Sequence, residues 1–309
     1  MPKTVSIIIP AYNSAQYLPD AIESCMAQTF KDIEIIVVDD GSYDNTSEVA
    51  HRFPVTYIFQ PNAGPGAARN NGWLASDSEF IQFLDADDVL LPTKIERCLQ
   101  AFTPDIDVVY TNYEMCSADL RESLATPKQM LPETNMLLSL LNTTQALTQT
   151  AAPLIRRSAA DRTRKFPEKF NIAEDWYLWI ELAARGAKFR HLDEVLVRYR
   201  VTPGSLTKDP VKMAQGRLEA AEALSELPLP KDFDLNQLLI DRHHVLGLRL
   251  WATNNRVGAR KQFWQAIKLS PKGPRNQMIR FYFILMTYFS NLEVAELNLN
   301  RVLRVFKKT

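Results

Sequence analysis

The chain has 309 residues, 46% hydrophobic and 23% charged, with 36 Lys+Arg against 36 Asp+Glu. That composition is ordinary for a globular protein, and the balanced charge excludes any whole-molecule pull toward nucleic acid, so no nucleic-acid partner is expected. Three widely spaced cysteines (Cys25, Cys98 and Cys116) exclude a paired disulfide framework and a CxxC metal site, and read as free thiols in a reducing compartment.

Val5–Pro10 (VSIIIP) is a continuous β-branched run, the pattern of a strand buried on both faces. It is too short for a signal-peptide core and ends in Pro. No segment reaches the ~20 apolar residues of a spanning helix, so a cytoplasmic protein is expected. Asn13 and Gln16 form a capping-box pattern that predicts a helix to about Gln28. Ile33–Asp39 (IEIIVVD) predicts a second buried strand, and Asp44–Phe53 a helix. Thr56–Gln60 predicts a shorter strand, and Gly64–Ser76 a helix behind a Gly/Pro turn. Phe80–Leu84, Thr93–Phe102 and Val108–Asn112 follow as strand, helix and strand. This rhythm predicts an α/β fold with a mostly parallel, helix-covered sheet and a ligand site outside the strands' carboxyl ends.

Ser117–Pro153 is less regular, with a helix near Thr134–Leu141. A helix over Glu174–Arg185 precedes strands at Lys188–Leu192 and Val195–Arg200. Beyond about Pro210 the patterns are helical: Val211–Leu227, Leu235–Trp251, Val257–Leu269, Arg275–Ser290 and Leu292–Lys307. A boundary near Asp209 is expected, dividing an α/β domain over 1–209 from a helical extension over 210–309. Ala259–Pro271 faintly resembles the end of a tetratricopeptide unit, but one copy is no repeat. Charge divides as well. Arg256–Thr309 carries 11 Lys/Arg and 2 Asp/Glu, a net of +9, which leaves −9 on the remainder.

Acids gather where strands end. Asp39-Asp40-Gly41-Ser42 closes the second strand and Asp85-Ala86-Asp87-Asp88 the fourth. In a parallel sheet both open on one edge, and five crowded carboxylates there need a cation or hydrogen-bond donors to offset repulsion. A divalent metal bridging to a diphosphate is a natural partner, although each cluster alone also reads as an ordinary turn or cap. Gly64–Asn70 (GPGAARN) opens a helix and can approach a phosphate, but is neither GxGxxG nor a Walker loop. Its Arg69 can neutralise a phosphate or pair with the acids. Asn171–Glu174 reads as a capping box that puts Asp175 in a first helical turn. Asp175 is then either an acid favoured by the helix dipole or a general base beside a Trp176/Trp179 wall.

Five segments, in this order and spacing, resemble the family-2 glycosyltransferases with the GT-A fold: VSIIIPAYN (5–13), IVVDDGS (36–42), GPGAARNNG (64–72), FLDADD (83–88) and Glu174-Asp175-Trp176. The resemblance covers about Val5–Thr207. It implies an enzyme moving a sugar from a nucleotide donor to an acceptor hydroxyl, in cell-surface glycan or polysaccharide synthesis. It also implies that Pro10, Tyr12 and Asp40 hold the base, with Asp40 accepting from an imide N–H. That favours UDP sugars, with thymidine and guanosine donors open. Arg69 matches a position near base and phosphates, and Asp39 one that braces the turn. Asp85-Ala86-Asp87 matches the DxD element, which contacts ribose and holds Mn²⁺ or Mg²⁺; Asp87 is the first metal candidate and Asp88 the second. Asp175 matches the catalytic base of a single displacement with inversion.

One position departs from the pattern: Thr202 stands where the family often carries His, with Arg198, Arg200 or Lys208 as replacement cations. His51, His191, His243 and His244 all lie elsewhere, the last two read as structural. An inactive nucleotide-sugar-binding protein and a nucleotidyltransferase stay open as alternatives. The acceptor is left as a glycan or lipid-linked glycan. The last predicted helix sets Leu292, Leu299, Val302, Leu303 and Phe306 largely against Arg301, Arg304, Lys307 and Lys308. That face either packs on preceding helices or rests peripherally on the cytoplasmic side of an anionic membrane.

Overall fold

The computed structural model of the chain describes residues 4–127, 131, 135–142, 149–170, 172–202 and 209–270. β1 (Val5–Ala11) lies at the heart of the sheet and is buried almost throughout, as its β-branched run requires. β2 (Ile33–Asp39) runs parallel to it, with Val5 opposite Ile33 and Ala11 opposite Asp39. β3 (Thr56–Phe59) pairs parallel with β2, and β4 (Phe80–Phe83) parallel with β1. The acid-bearing ends of β2 and β4 therefore open on one edge.

The second half of the sheet is built from β5 (Val89–Leu90), β6 (Val108–Cys116), β7 (Ser123–Ala125), β8 (Pro153–Arg156) and β9 (Phe189–Arg200). The strand order is β3-β2-β1-β4-β8-β6-β9-β5, with β7 beside β6. β5, β7 and β8 run against the other six strands, so the sheet is mostly parallel. The two short strands expected at 188–192 and 195–200 are one, β9, whose ladder with β6 slips around Asn112. β8 emerges from the stretch that lacked a readable pattern.

Helices cover both faces. α1 (Leu18–Met26) lays Leu18, Ala21, Ile22 and Cys25 on the face that carries Val5, Ile7 and Ile9. Each fully buried Ile or Leu contributes about 1.5–3 kcal/mol to that core. α2 (Thr46–Ala50) adds Val49 and Ala50. α3 (Pro65–Leu74) lies on the other face, where Ala68 meets Ile36 and Val38. Its Gly72 is so close that an added Cβ would stand 2.4 Å from Ile8 Cγ2. The remaining helices of this part are α4 (Lys94–Ala101), α5 (Met136–Asn142), α6 (Arg157–Ala160) and α7 (Glu174–Ala184). The three cysteines are free and buried.

The capping box expected at Asn13 does not form. Asn13 takes a left-handed conformation (φ 49°), and its Oδ1 accepts from Tyr43 N at 3.0 Å, so α1 starts later, after Tyr17, with no side-chain cap. The asparagine is spent on tying the β1 and β2 loops together.

The chain divides into two compact units, Met1–Ser205 and Leu206–Thr309. The second unit contains α8 (Pro210–Ala223), a 3₁₀ turn at Leu224–Glu226, α9 (Leu235–Ala252) and α10 (Arg256–Leu269). Asp209, Asp234 and Asn255 cap these helices, each side chain accepting from backbone N–H groups of the first turn. Ile240 and Trp251 of α9 pack with Ala259, Phe263, Ala266 and Ile267 of α10. His243 bonds Gln262, and burial pushes His244 down to about 4, so both histidines belong to this packing. The helices expected at 275–290 and 292–307 lie outside the described residues. Among the described residues no helix is long and apolar enough to cross a membrane.

Candidate active site

At the end of β2 the chain turns through Gly41 at φ +76°, with both preceding aspartates buried. Asp39 braces that turn: its Oδ1 accepts from Ser42 N and its Oδ2 from Tyr57 Oη, both at 2.8 Å. Asp40 reaches the next loop. Its Oδ1 accepts from Gln60 Nε2 (2.7 Å) and Ala63 N (2.8 Å), and its Oδ2 from Gly64 N (2.9 Å). The Ala63 and Gly64 amides before α3 are thus given to Asp40. Donors, rather than a cation, offset the charge of this first acidic pair. Nearby, Pro10 lies near the end of β1, and Tyr12 and Tyr43 stand exposed and edge-on, 6.1 Å apart between ring centres. Tyr43 carries no motif signal and was not anticipated.

Arg69, in the middle of α3, is buried and forked between two acids. Nη2 donates to Asp85 Oδ1 and Nη1 to Glu174 Oε1, each at 2.7 Å. Its guanidinium also lies 5.2 Å from the centre of the Phe166 ring. Of the two roles the sequence left open, pairing with the acidic cluster is the one observed. The two carboxylates hold the guanidinium charged against the cost of burial. This fork ties the end of β4 to the start of α7, residues 105 positions apart in the chain from Arg69 to Glu174. Nothing local in the sequence singles out Glu174 as that partner.

Beyond Asp85, the two neighbouring aspartates have opposite fates. Asp88 is fully buried and satisfied internally: Oδ1 accepts from Arg200 N at 2.8 Å and Oδ2 from Gln149 Nε2. Each of its oxygens thus already holds a donor from within the fold. Burial, with Asp87 and Asp85 beside it, pushes its carboxyl well above the usual range. Asp87 is half-buried, and burial together with the Asp85 charge pushes it up to about 6. That excess negative charge is what a divalent cation would remove. Among the described residues no group of three or more His, Cys, Asp or Glu converges as a ligand set. Mg²⁺ or Mn²⁺ held by one or two carboxylates and by a ligand's phosphates requires no such set, so Asp85 and Asp87 fit that kind of ion.

Asp175 opens α7 after Ala173, whose backbone is left-handed (φ 64°). No side-chain cap forms there, and Asn171, the expected cap, lies outside the described residues. Asp175 Oδ1 accepts from Trp176 N at 2.7 Å, and Oδ2 from Thr150 Oγ1 at 3.2 Å. Burial, reinforced by Glu174 and opposed by Arg69, pushes the carboxyl up to about 7. Trp176 donates its Nε1 to Leu140 O at 3.0 Å, and Trp179 is buried behind it. Gln149 and Thr150 thus reach the acid strand end and Asp175 from one short turn, with no sequence signal to announce it.

The cations proposed in place of histidine fare differently. Arg200 is buried and committed, with Nε on Asp87 O at 2.6 Å and Nη2 on Asp20 Oδ2 at 2.6 Å. It braces the acidic loop through the Asp87 carbonyl. Arg198 pairs with Glu114 at 2.5 Å and is partly exposed. Thr202 is buried, and Lys208 lies outside the described residues.

A sequence profile of glycosyl transferase family 2 matches residues 6–163, half of the chain. The chain belongs to glycosyltransferase family 2. An uncharacterised glycosyltransferase of Rickettsia typhi is 33% identical to it over 228 residues, 71% of this chain and 70% of that one. Among solved structures, the family-2 enzyme superposes on TarS of S. aureus in complex with UDP with a TM-score of 0.67, at 19% identity, covering 91% of this chain and 87% of that chain. A mannosyltransferase of Pyrobaculum calidifontis, solved with GDP-Man and Mn²⁺, gives a TM-score of 0.55 at 17% identity, covering 93% and 81%. The glycosyltransferase therefore has the GT-A fold expected from its motifs.

Proposed function

We propose that this glycosyltransferase moves a sugar from a nucleoside-diphosphate donor, a UDP sugar foremost, to a hydroxyl of a glycan or lipid-linked glycan by a single displacement with inversion. The reaction serves cell-surface glycan or polysaccharide synthesis. The catalytic domain spans 1–209 and the helical extension 210–309. The observation that carries the reading is the Arg69 fork, which holds the acidic end of β4 and the start of α7 in one place. A donor site and a proton acceptor are thereby kept in register, and two bound substrates gain from such positioning more than from any single group.

Asp175 takes the proton from the acceptor hydroxyl as its oxygen attacks the anomeric carbon. An acceptor group titrating near 7 matches the needs of a base working at neutral pH. Thr150 orients one of its oxygens. Asp85 and Asp87 would hold Mn²⁺ or Mg²⁺, and the ion, when bound, would offset the charge of the departing nucleoside diphosphate. Pro10, Tyr12 and Asp40 flank the base, with Asp40 accepting from an imide N–H. The UDP bound to TarS and the GDP-Man and Mn²⁺ bound to the Pyrobaculum enzyme support a nucleotide donor and a divalent ion here.

Calorimetry with UDP and Mn²⁺ tests the donor half of this proposal. The parent binds UDP with Mn²⁺ and weakly after chelation, whereas Asp87→Asn loses the metal-dependent part while staying folded. Equal affinity in the two proteins overturns the metal role of Asp87. A nucleotide panel headed by ADP or CDP overturns the role given to Asp40.

A further inference from the structure

We infer that the outward face of α10 is a docking surface for anionic lipid, distinct from the catalytic site and independent of the chemistry proposed for it. Val257, Arg260, Lys261, Trp264 and Lys268 are all exposed on this helix, Val257 at 80% and Trp264 at 48%. At 3.6 residues per turn they fall within an arc of ~100°. Ala259, Phe263, Ala266 and Ile267 are buried on the side facing α9. The helix sequence, RVGARKQFWQAIKL, contains four Lys or Arg and no Asp or Glu. Trp264 and Val257 thus share this face with the exposed Lys261 and Lys268.

Charge and residue type choose the occupant. Lysines are depleted in the buried centre of protein–protein interfaces, where they would be stripped of water. At a lipid surface the same arrangement is favourable. Tryptophan settles at the headgroup level, and lysine and arginine meet phosphate without losing hydration. The surface therefore complements a membrane bearing acidic phospholipid.

Flotation of the full chain with vesicles tests this directly. Vesicles of phosphatidylcholine mixed with phosphatidylglycerol should carry the protein upward at low salt and release it at high salt, while pure phosphatidylcholine vesicles should not carry it. Lys261→Gln with Lys268→Gln should lower partitioning by roughly 30-fold, about five-fold for each cation removed. Trp264→Ser should weaken binding separately. Circular dichroism and sugar transfer to a water-soluble acceptor should be unchanged in these variants. Failure to float overturns the inference. Undiminished flotation of both variants also overturns it, placing the contact elsewhere in the basic segment. Self-association that Trp264→Ser abolishes, without flotation, overturns it in favour of a second copy of the chain.

Discussion

A guanidinium that donates to Asp85 through one nitrogen and to Glu174 through another has no conservative substitute. Arg69→Lys offers a single point charge that reaches one acid at a time. It should keep the fold yet reduce transfer, as β4 and α7 lose their common tie. Arg69→Leu leaves two acids without their cation, and a buried pair broken on one side costs about 3–5 kcal/mol, which urea unfolding would report. The same scale holds the pH behaviour. Burial raises Asp175 to about 7 in the fold, above an unfolded aspartate, so the folded protein retains a proton that the unfolded chain gives up between about pH 4 and 7. Stability from this group is complete below that window and is lost as pH rises through it. Asp175→Asn should therefore raise Tm at pH 8 and change it little at pH 4. Activity follows the opposite course, since the base works only when ionised: kcat should rise through about pH 7. A profile flat from pH 5 to 9 would contradict the assignment.

At the scale of elements, the loops after the strands are held by small, specific contacts. Gly41 combines φ +76° with a backbone approach that would put a Cβ 2.7 Å from Asn62 N. Gly41→Ala should weaken UDP binding and cost about 1 kcal/mol or more, measured by calorimetry and chemical denaturation. Gly72→Ala should overpack α3 on β1 at a cost of about 1–3 kcal/mol without touching the acids. These contacts also explain what the sequence could reveal. β1, β2 and β4 are readable because burial on both faces demands unbroken apolar runs, and their acidic ends follow directly. β8 and the Gln149–Thr150 turn are not readable, because a four-residue strand that starts at Pro153 is too short to carry a period. The capping box at Asn13 fails as a reading because the pattern is local. At Asn13 the competing donor, Tyr43 N, belongs to a loop 30 residues away.

For the whole molecule, two compact units and two opposite charges describe the chain. The GT-A architecture was legible because five motifs stand in order. The Arg69–Glu174 tie was not, because only folding brings those positions together. Chelation should test the first unit as a whole: EDTA should abolish transfer and weaken donor binding, and Mn²⁺ or Mg²⁺ should restore both, while the far-UV spectrum stays unchanged. The most direct measurement of the central claim is the pair of donor affinity and transfer rate for Asp175→Asn. The substitution keeps the shape of the side chain and removes its ability to take a proton. The account predicts UDP-sugar affinity within a few-fold of the parent and transfer to the acceptor slower by roughly 10²-fold or more. Transfer at the parental rate would contradict it.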